Sequence, residues 1–410
     1  MRVLLISQYF PPETGGPPNR LRSIAKELKR AGHDVHVIAE KPNHPEGIIR
    51  KDYRGGVFEE RTYEGIPVTY TWVYTHPEKN FLRRLLFYGS FMVMAVLAAL
   101  RTKGSFDVVL ASSPPLFVGL SGWLAARMKN AKFVFDVRDI WPEVAVAMGA
   151  LTNPTIIRLA EAIEQFIYQR ADGITAVTDS FCDHIRETVG EQTSMQRVMN
   201  GTMPEVFQQD ERRDEVRELL GVEGKFAVTY AGNLGLAQGL PHILEAAEKL
   251  QDENRVEFVM LGSGAVKNDL MEDAEQRGLT NIQFRDRVPL EEAAAHMAAS
   301  DALLVPLEDH KIYQRFIPSK LFDSMASGRP VLLSVDGEAR SILEEAEAGL
   351  HYPAEEGGAL ADRVRWLLNH PEKAEAMGRR GRKYAQSHCT RSAQAQKLTS
   401  FLEEIVEGEE

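Results

Sequence analysis

The chain of 410 residues is too long for one ordinary hydrophobic core, and its 44% apolar and 26% charged content excludes a disordered or fibrous protein. The net charge of -11 is unevenly divided: residues 1–200 carry a net +3 and residues 201–410 a net -14, so the first half is the one expected to meet an anionic surface. No run of Lys and Arg interleaved with aromatic residues occurs, and we therefore expect no nucleic-acid partner.

The chain begins directly with an apolar strand at residues 3–7, without a basic and apolar leader. We therefore expect a cytoplasmic protein. The two cysteines, Cys182 and Cys389, are far apart and have no His or Cys neighbour at metal-ligand spacing. This usage indicates a reducing compartment and predicts no metal site.

Short apolar strands alternate with helices along both halves of the chain. In the first half the predicted strands are 3–7, 34–39, 67–72, 108–111, 132–136 and 173–177, and the helices include 20–31 and 154–170. In the second half the strands are 226–231, 257–261, 282–284, 302–305 and 331–334, and the helices are 240–250, 266–277, 290–299, 318–327 and 339–347. This alternation predicts an α/β protein with two tandem doubly wound parallel sheets.

The predicted elements divide the chain into four parts. Residues 1–203 form a first Rossmann-like domain, and the charged, strand-poor residues 204–225 form a linker. Residues 226–385 form a second Rossmann-like domain. Residues 386–410 form a C-terminal helix that we expect to pack back on the first domain.

One segment, from Phe81 to Leu100, is unusually apolar and is bracketed by arginines. Its uncharged part is shorter than the roughly 20 residues that cross a bilayer. It fits either a helix buried against the first sheet or a helix lying in the membrane interface. In the second case the arginines lie near lipid phosphates, with Phe81, Phe87 and Phe91 in the acyl boundary. The protein would then work at the inner face of the cell membrane.

Glycine-rich turns follow three of the predicted strands, at the edge where open parallel sheets bind ligands. Glycine lets the backbone approach a phosphate closely, and a helix N-terminus beyond it adds N–H donors. Each turn alone is also compatible with ordinary turn chemistry, but together they favour a nucleotide diphosphate ligand. The glycines concerned are Gly15 and Gly16 after the first strand, Gly232 after 226–231 and Gly262 after 257–261.

The segment FIPSKLFDSMASGRPVL, residues 316–332, carries the strongest pattern. It places Ser319 and Lys320 at the start of a helix, with Asp323 about one turn further on. A phosphate can dock at such a helix start beside a lysine, and a carboxylate can accept hydrogen bonds from ribose hydroxyls. The same residues also fit a helix capped by Ser319, with a surface lysine and an aspartate that favours the helix dipole.

These segments resemble a known family over essentially the whole chain. The motifs are QYFPPETGG, VRDIWPE, VMNG, YAGNLGLAQGL, LGSG and IPSKLFDSMASGRPVL. The combination is similar to GT-B glycosyltransferases of glycosyltransferase family 4, and most similar to the bacterial subgroup resembling fucosamine transferases.

The resemblance implies two Rossmann-like domains with an interdomain cleft, the donor in the second domain and the acceptor in the first. It implies a retaining, metal-independent transfer from a nucleotide sugar, by default UDP-linked, with no other cofactor. The implied acceptor is a polyprenyl-linked or saccharide acceptor in cell-envelope polysaccharide synthesis.

Several positions depart from the family pattern. The family usually has a pair of glutamates in this segment. The second glutamate, which binds ribose, corresponds to Asp323, and the first corresponds to Arg315. Asn233 and Gln238 stand where the family usually has the Arg and Lys that hold the diphosphate. The resemblance therefore leaves other cations to balance the diphosphate: Lys320 first, Arg287 second, with Arg20 or Arg138 as candidates in the first domain.

The family's sugar-contacting histidine corresponds to Arg138, and Asp139 beside it either positions the acceptor or caps the following turn. The candidate catalytic residues are therefore Asp139, Arg138 and Lys320.

Two other classes of protein share parts of this pattern. A nucleotide-sugar epimerase or dehydrogenase should show GxGxxG after the first strand and a Tyr-x3-Lys pair, and neither follows that strand. A non-catalytic, two-lobed sugar-binding protein would usually carry a signal peptide.

Overall fold

The computed structural model describes residues 1–44, 46–78, 81–190 and 193–408. The chain divides into two compact units. The first consists of Met1–Asn200 and Arg391–Glu410, and the second of Gly201–Thr390. Each unit is built on one parallel or mostly parallel sheet with helices on its faces. The predicted fold class, two tandem Rossmann-like domains, is confirmed.

The helices and strands follow in chain order. The first unit has strands β1 Arg2–Ser7, β2 Asp34–Glu40, β3 Phe58–Tyr63, β4 Ile66–Thr71, β5 Val108–Ser112, β6 Lys132–Val137, β7 Gly173–Ala176 and β8 Ser194–Arg197. Its helices are α1 Gly16–Arg30, α2 Phe81–Arg101, α3 Phe117–Lys129, α4 Glu143–Ala147, α5 Pro154–Arg170 and α6 Asp179–Val189. The second unit has strands β9 Phe226–Ala231, β10 Val256–Leu261, β11 Ile282–Arg285, β12 Ala302–Val305, β13 Val331–Leu333 and β14 Gly349–His351. Its helices are α7 Pro204–Phe207, α8 Arg213–Leu220, α9 Pro241–Lys249, α10 Lys267–Gln276, α11 Leu290–Ala299, α12 Ser319–Ala326, α13 Glu338–Glu345, α14 Gly357–Asn369 and α15 Pro371–His388. Helix α16, Arg391–Glu407, returns to the first unit.

The sheet of the first unit has the strand order β3-β4-β2-β1-β5-β6-β7-β8. All neighbours are parallel except β3 and β4, which form an antiparallel hairpin. The hairpin turns at Glu64 and Gly65, which both have positive φ, as a two-residue turn of this kind requires. The central strands are buried on both faces, which is why they appear in the sequence as continuous apolar runs.

The sheet of the second unit is fully parallel in the order β11-β10-β9-β12-β13-β14. Strand order runs outward in opposite directions from the neighbouring strands β9 and β12. In open α/β sheets, ligands bind beyond the carboxyl ends of the strands at such a switch point. The loops that follow β9 and β12 are therefore the expected ligand-binding region of this unit.

The segment 204–225, predicted as a linker, instead carries helices of the second unit. Val216, Leu220 and Val222 are buried in a small core together with residues of the sheet and of α11. Arg213 and Arg217 both pair with Asp301, at 2.7 and 2.9 Å. The segment looks charged in the sequence because its polar residues face outward, while the apolar ones, spaced one helical turn apart, face the core.

Helix α16 completes the core of the first unit. Its side chains Ala395, Leu398, Phe401 and Leu402 are buried in the same cluster as residues of β1, α1 and β2. On the flank of the contact, Gln396 donates a hydrogen bond to Glu27 of α1 at 3.0 Å. The last helix of the chain is thus part of its first folded unit.

Helix α2 has two different sides. Phe91, Ala95, Ala98 and Ala99 are buried in the first unit, whereas other large apolar residues of the helix are exposed. The expectation that Phe91 lies in the acyl boundary is therefore wrong, because its side chain is buried in the first unit. The stretch Leu82–Arg101 is long and apolar enough to cross a membrane by length and composition alone, and it is the only such helix among the described residues.

Candidate functional site

The loops after β9 and β10 lie side by side at the carboxyl edge of the second sheet. The Gly232 N–H donates to the Leu261 carbonyl at 3.0 Å, and the Leu234 N–H donates to the Ser263 carbonyl at 2.9 Å. A Cβ atom at Gly262, which has φ +153°, would lie 1.9 Å from the Gly232 carbonyl oxygen. Only glycine therefore fits this crossing, and the structure brings the predicted Gly232 and Gly262 together.

The loop after β12 joins the same edge at the switch point. The Glu308 N–H donates to the Ala237 carbonyl at 3.1 Å, and a Cβ atom at Gly239 would lie 3.0 Å from the Glu308 backbone. Helix α12 follows this loop through a short 3-10 turn, Lys311–Arg315. Its first residues are thereby carried back to the glycine loop after β9.

Lys320 reaches from α12 into that loop. Its Nζ donates a hydrogen bond to the Tyr230 hydroxyl at 2.8 Å and another to the Gln238 side-chain oxygen. The same nitrogen lies 4.3 Å from the centre of the Tyr230 ring, in the range of a cation–π contact. Gln238 belongs to the loop after β9, so the structure joins two of the predicted donor-binding residues directly.

The amino group of Lys320 has no carboxylate partner in the part of the chain that the structure describes. Although the residue as a whole is half-buried, its nitrogen lies among protein atoms, and this burial lowers the pKa of Lys320 to about 7. An anion placed beside it would favour the charged form. The group is therefore able to gain a full charge when a phosphate arrives.

Helix α12 begins without a side-chain cap. Pro318 occupies the N-cap position, and no side chain accepts a hydrogen bond from the first turn. Ser319 is the first residue of the helix and is exposed, so the alternative in which Ser319 caps the helix is wrong. The first-turn N–H groups are therefore not covered by a cap and carry the positive end of the helix dipole.

Asp323 lies one turn along the same helix and is partly exposed. Its Oδ1 accepts a hydrogen bond from the hydroxyl of Thr202 at 2.7 Å. Thr202 is fully buried and directly follows the VMNG turn, and its N–H donates to the Cys389 carbonyl at 2.7 Å. Thr202 thus fixes one oxygen of Asp323. The sequence reasoning missed this residue, although the VMNG motif beside it pointed to the place.

The contacts of Lys320 include no side chain from the other predicted residues of the second unit. Asn233 is exposed, and its carbonyl accepts from the Tyr230 hydroxyl at 2.6 Å. Arg287 is exposed in the loop after β11 and makes no hydrogen bond or ion pair with another described residue. Arg315 is partly buried at the end of the 3-10 turn before α12. Neither arginine is bonded to Lys320 or to Gln238.

In the first unit, Arg20 is buried and already occupied. Its Nη2 donates to Asp136 at 3.0 Å and its Nη1 donates to the Met199 carbonyl at 2.6 Å. The carboxylate of Asp136 also accepts from the hydroxyls of Ser112 and Thr175 at 2.7 and 2.8 Å. Burial alone would raise the pKa of Asp136, but the nearby arginines and Ser112 hold it below the ordinary value. The sequence reasoning missed this buried anion.

Arg138 and Asp139 follow β6 at the carboxyl edge of the first sheet. The Arg138 guanidinium is buried, its Nε donates to the Ser113 carbonyl, and its Nη2 has no partner among the described residues. Desolvation lowers the pKa of Arg138 to about 10. Asp139 is partly exposed, and burial raises the pKa of its carboxyl group to about 6 although Arg138 opposes this. The two side chains are neighbours in the chain but form no ion pair.

Gly15 and Gly16 open α1. Gly15 has φ +132°, and α1 begins without a side-chain cap, as α12 does. A Cβ atom at either glycine would meet no neighbouring atom within 4 Å. Of the two, only Gly15 is required by its backbone conformation. No group of three His, Cys, Asp or Glu side chains suited to a metal ion occurs among the described residues.

Comparison with known proteins identifies both halves of the chain. Residues 15–201 match the model of the glycosyl transferase 4-like domain, and residues 211–384 match that of the glycosyl transferases group 1. A relative in Escherichia coli K12, WcaI, named as a colanic acid biosynthesis glycosyl transferase, is 26% identical over 82% of this chain and 84% of its own.

Solved structures with the same fold cover nearly the whole chain. Sucrose-phosphate synthase from Thermosynechococcus elongatus has a TM-score of 0.78 at 18% identity, covering 98% of both chains. HepE from Anabaena, solved with UDP-glucose, has a TM-score of 0.72 at 17% identity, covering 98% of this chain and 99% of that one. At these identities the likeness establishes the fold alone.

Proposed function

Because the chain belongs to the GT-B glycosyltransferases, with a family 4-like first domain and a group 1 second domain, we propose that it transfers a sugar from a nucleotide diphosphate to a hydroxyl acceptor. The observation that carries the proposal is the position of Lys320. Its amino group lies at the β9 and β12 switch point, against a glycine loop and without a carboxylate partner among the described residues. A diphosphate placed there would meet both the lysine and the uncapped start of α12.

The donor site is built from the second unit. Lys320 and the first-turn N–H groups of α12 hold the diphosphate, while Gly232 and Gly262 let it approach the backbone. Asp323, fixed by Thr202, accepts hydrogen bonds from the ribose hydroxyls. Arg287 is the second candidate for a phosphate contact, since it is exposed beyond the carboxyl end of the edge strand β11, which β10 separates from β9. A UDP-linked donor is supported by HepE, which was solved with UDP-glucose.

The proposed chemistry is transfer with retention of configuration and without a metal ion. The acceptor oxygen bonds to the anomeric carbon on the face from which the diphosphate leaves. The bond from that carbon to the phosphate oxygen breaks, and its electron pair stays on the diphosphate. Lys320 and the helix dipole stabilise the developing charge, which is the main way such a site lowers the barrier. The proton of the acceptor hydroxyl leaves with the diphosphate.

The first unit is proposed to hold the acceptor. Arg138 presents, at the carboxyl edge of its sheet, a nitrogen that has no partner among the described residues, and burial raises the pKa of Asp139 beside it to about 6. We assign both to positioning the acceptor or the donor sugar. Arg20 holds Asp136 and Met199, and its part in this site is therefore to support the surrounding structure.

The proposed biological setting is cell-envelope polysaccharide synthesis at the inner face of the membrane. The likeness to WcaI, which is named for colanic acid biosynthesis, supports a role in polysaccharide synthesis. The donor sugar that we propose is an N-acetylated amino sugar, and the acceptor is a polyprenyl-linked or saccharide acceptor. The exposed apolar side of α2 supports peripheral contact with the membrane through residues 81–100.

A thermal-shift panel of nucleosides, nucleoside diphosphates and nucleotide sugars tests the proposal, because a ligand that binds only the folded chain raises its melting temperature. We expect UDP or a UDP-sugar to stabilise the protein. Lys320→Ala should reduce the shift produced by the diphosphate far more than that produced by the nucleoside. Arg255→Ala, an exposed cation paired with Glu253 in the same unit, is the matched control. If no nucleoside diphosphate stabilises the wild-type protein, the proposal is wrong.

A further inference from the structure

A buried histidine, His242, holds the end of the glycine loop that follows β9. It lies in the first turn of α9 and is 3% exposed. Its Nδ1 is hydrogen-bonded to the Gly239 carbonyl, and its Nε2 lies 3.0 Å from the hydroxyl oxygen of Tyr352. Tyr352 follows β14 and is fully buried. Neither His242 nor Tyr352 has a role in the site described above.

The direction of these two hydrogen bonds follows from the chemistry of their atoms. A carbonyl oxygen can only accept, so His242 Nδ1 carries the proton that is donated to Gly239. Burial lowers the pKa of His242, although the bond to Gly239 and the charges of Glu355 and Glu245 oppose this. The ring is therefore neutral at pH 7, and its bare Nε2 accepts from the Tyr352 hydroxyl. The two partners together select one tautomer of the ring.

The hydrogen bonds continue across the carboxyl edge of the second sheet. Burial raises the pKa of Tyr352, and a hydrogen bond with the Ser334 side chain opposes the rise. The Ser334 hydroxyl oxygen in turn accepts from the Leu307 N–H at 3.2 Å. The series thus links the loops beyond four strands that are consecutive neighbours in the sheet, β9, β12, β13 and β14, through Gly239, Leu307, Ser334 and Tyr352 in that order.

The series ends one residue away from the contact between Gln238 and Lys320. Gly239 closes the short 3-10 turn Leu236–Gln238 and has φ +58°. The Gln238 side-chain oxygen accepts from Lys320 Nζ and, at 3.2 Å, from the Tyr230 hydroxyl. Glycine has no side chain to restrict its backbone, so the orientation of its carbonyl depends on the groups bonded to it. His242 therefore fixes the end of the turn that presents Gln238 to Lys320.

We infer that His242 is a positioning residue of the proposed donor site: by holding the Gly239 carbonyl, it keeps the Gln238 oxygen in contact with Lys320. The inference rests on the proposed function, in which Lys320 binds the diphosphate. His242 is buried and acts through the loop, without touching the ligand. Tyr352 holds the His242 ring in the tautomer that can donate to Gly239.

Two conservative variants separate the roles of the two ring nitrogens. The amide nitrogen of asparagine lies as many bonds from Cα as histidine Nδ1, whereas that of glutamine corresponds to Nε2. His242→Asn therefore retains a donor for Gly239, and His242→Gln retains a partner for Tyr352 alone. In calorimetry, we expect His242→Gln to weaken UDP binding about fivefold to tenfold, the effect of one lost hydrogen bond. His242→Asn should bind UDP within about twofold of the wild type.

The free energy of unfolding of both variants should be measured beside the affinity. If His242 only stabilises the fold, both variants lose stability while the folded proteins bind UDP equally well, and this result would overturn the inference. The matched control is His296 of α11, which is also buried and has its Nδ1 bonded to a backbone carbonyl, that of Glu292, at 2.7 Å. His296→Gln should leave UDP binding unchanged, and a loss equal to that of His242→Gln would also overturn the inference.

Two measurements by NMR need no nucleotide. The ring nitrogens of His242, identified by the signals that His242→Asn removes, should show a protonated Nδ1 and a bare Nε2 in the wild type. A ring protonated at Nε2 would overturn the inference even if His242→Gln does not fold. The titration midpoint of the Lys320 amine should shift in His242→Gln and stay unchanged in His242→Asn, because only the first variant releases the turn that carries Gln238. The same midpoint in all three proteins would contradict the inference.

These results also separate the inference from the proposed function. If UDP binds equally to the wild type and to both His242 variants, the positioning role is wrong and the proposed donor site stands. If the Lys320 titration shifts in His242→Gln alone but no nucleotide binds the wild type, His242 positions Gln238 as inferred and the proposed function is wrong.

Discussion

Arg20 and Lys320 each place a cationic group at the carboxyl edge of a sheet, but they differ in whether that group has a counter-ion inside the protein. In the first unit, Arg20 is held by Asp136 and by a backbone carbonyl, so its charge is balanced inside the protein. In the second unit, the hydrogen-bond partners of the Lys320 amine within the described part of the chain are the neutral oxygens of Tyr230 and Gln238. A buried charge that already has its counter-ion is satisfied within the fold, and removing its partner is costly, whereas one without a counter-ion is available to a ligand. The two sites can therefore be separated by experiment.

The largest expected effect is on folding, from Asp136→Asn. The substitution leaves Arg20 and Arg138 buried without their shared anion, and breaking a buried pair in this way costs about 3–5 kcal/mol of unfolding free energy. Denaturant unfolding of the first unit's core would measure the loss. Asp139→Asn is the control, because Asp139 is partly exposed and has no hydrogen-bonded partner among the described residues. Similar losses in the two variants would contradict a structural role specific to Asp136.

A smaller effect, on ligand binding alone, is expected when the charge of Lys320 is removed and then restored at the position of Gln238. Lys320→Gln should weaken binding of a UDP-sugar by about tenfold to a hundredfold, the range for a charge-assisted hydrogen bond. Because the Lys320 amine touches the Gln238 oxygen, a lysine at either position can place a cation at nearly the same point. The double variant Lys320→Gln with Gln238→Lys should therefore regain most of the affinity in calorimetry.

The double variant also tests whether a lysine in the loop after β9, where the family usually has it, can replace the lysine of α12. If the double variant binds no better than Lys320→Gln, the position of the cation in this site is more restricted than we infer. Unfolding free energies of all three proteins should agree closely, since neither side chain belongs to a buried ion pair.

The smallest effect is a pH dependence. The pKa of Lys320 in the free protein is about 7, and a bound diphosphate must raise it. Affinity for a UDP-sugar should therefore be level below pH 7 and fall above it, by at most about tenfold per pH unit, until the pKa of the complex is reached. A UDP-sugar is the right probe, because its diphosphate has no terminal group that titrates in this range. In Lys320→Gln the profile should be flat, and a sloping profile would assign the titration to another group.

The sequence predicted the interior of both sheets and missed three strands at their edges. The strands β3, β8 and β14 each lie at the end of a sheet, and they are charged, polar or very short. A strand paired on one side only is not buried on both faces, so it lacks the apolar run that identifies a central parallel strand. Strand β11, also at an edge, was predicted because it carries Ile282 and Phe284.

The sequence predicted those residues of the candidate site that belong to one short segment of the chain. Lys320 and Asp323 were identified from one helix start, and the glycine loops from their position after strands. Tyr230, Thr202 and Asp136 could not be found in this way, because each acts on a residue distant in sequence. Tyr230 looks like any strand residue until α12 brings Lys320 to it.

The position of α16 has a consequence for how the protein is made. The first unit needs Leu398 and Phe401 to close its core, yet these residues leave the ribosome after the whole second unit has been synthesised. Part of the apolar surface of the first sheet therefore stays exposed to solvent while some 190 further residues are synthesised, at about 5–20 residues per second. A gene fragment that stops at residue 200 would encode an unfinished core, and separating the two units requires residues 391–410 to be grafted back onto the first.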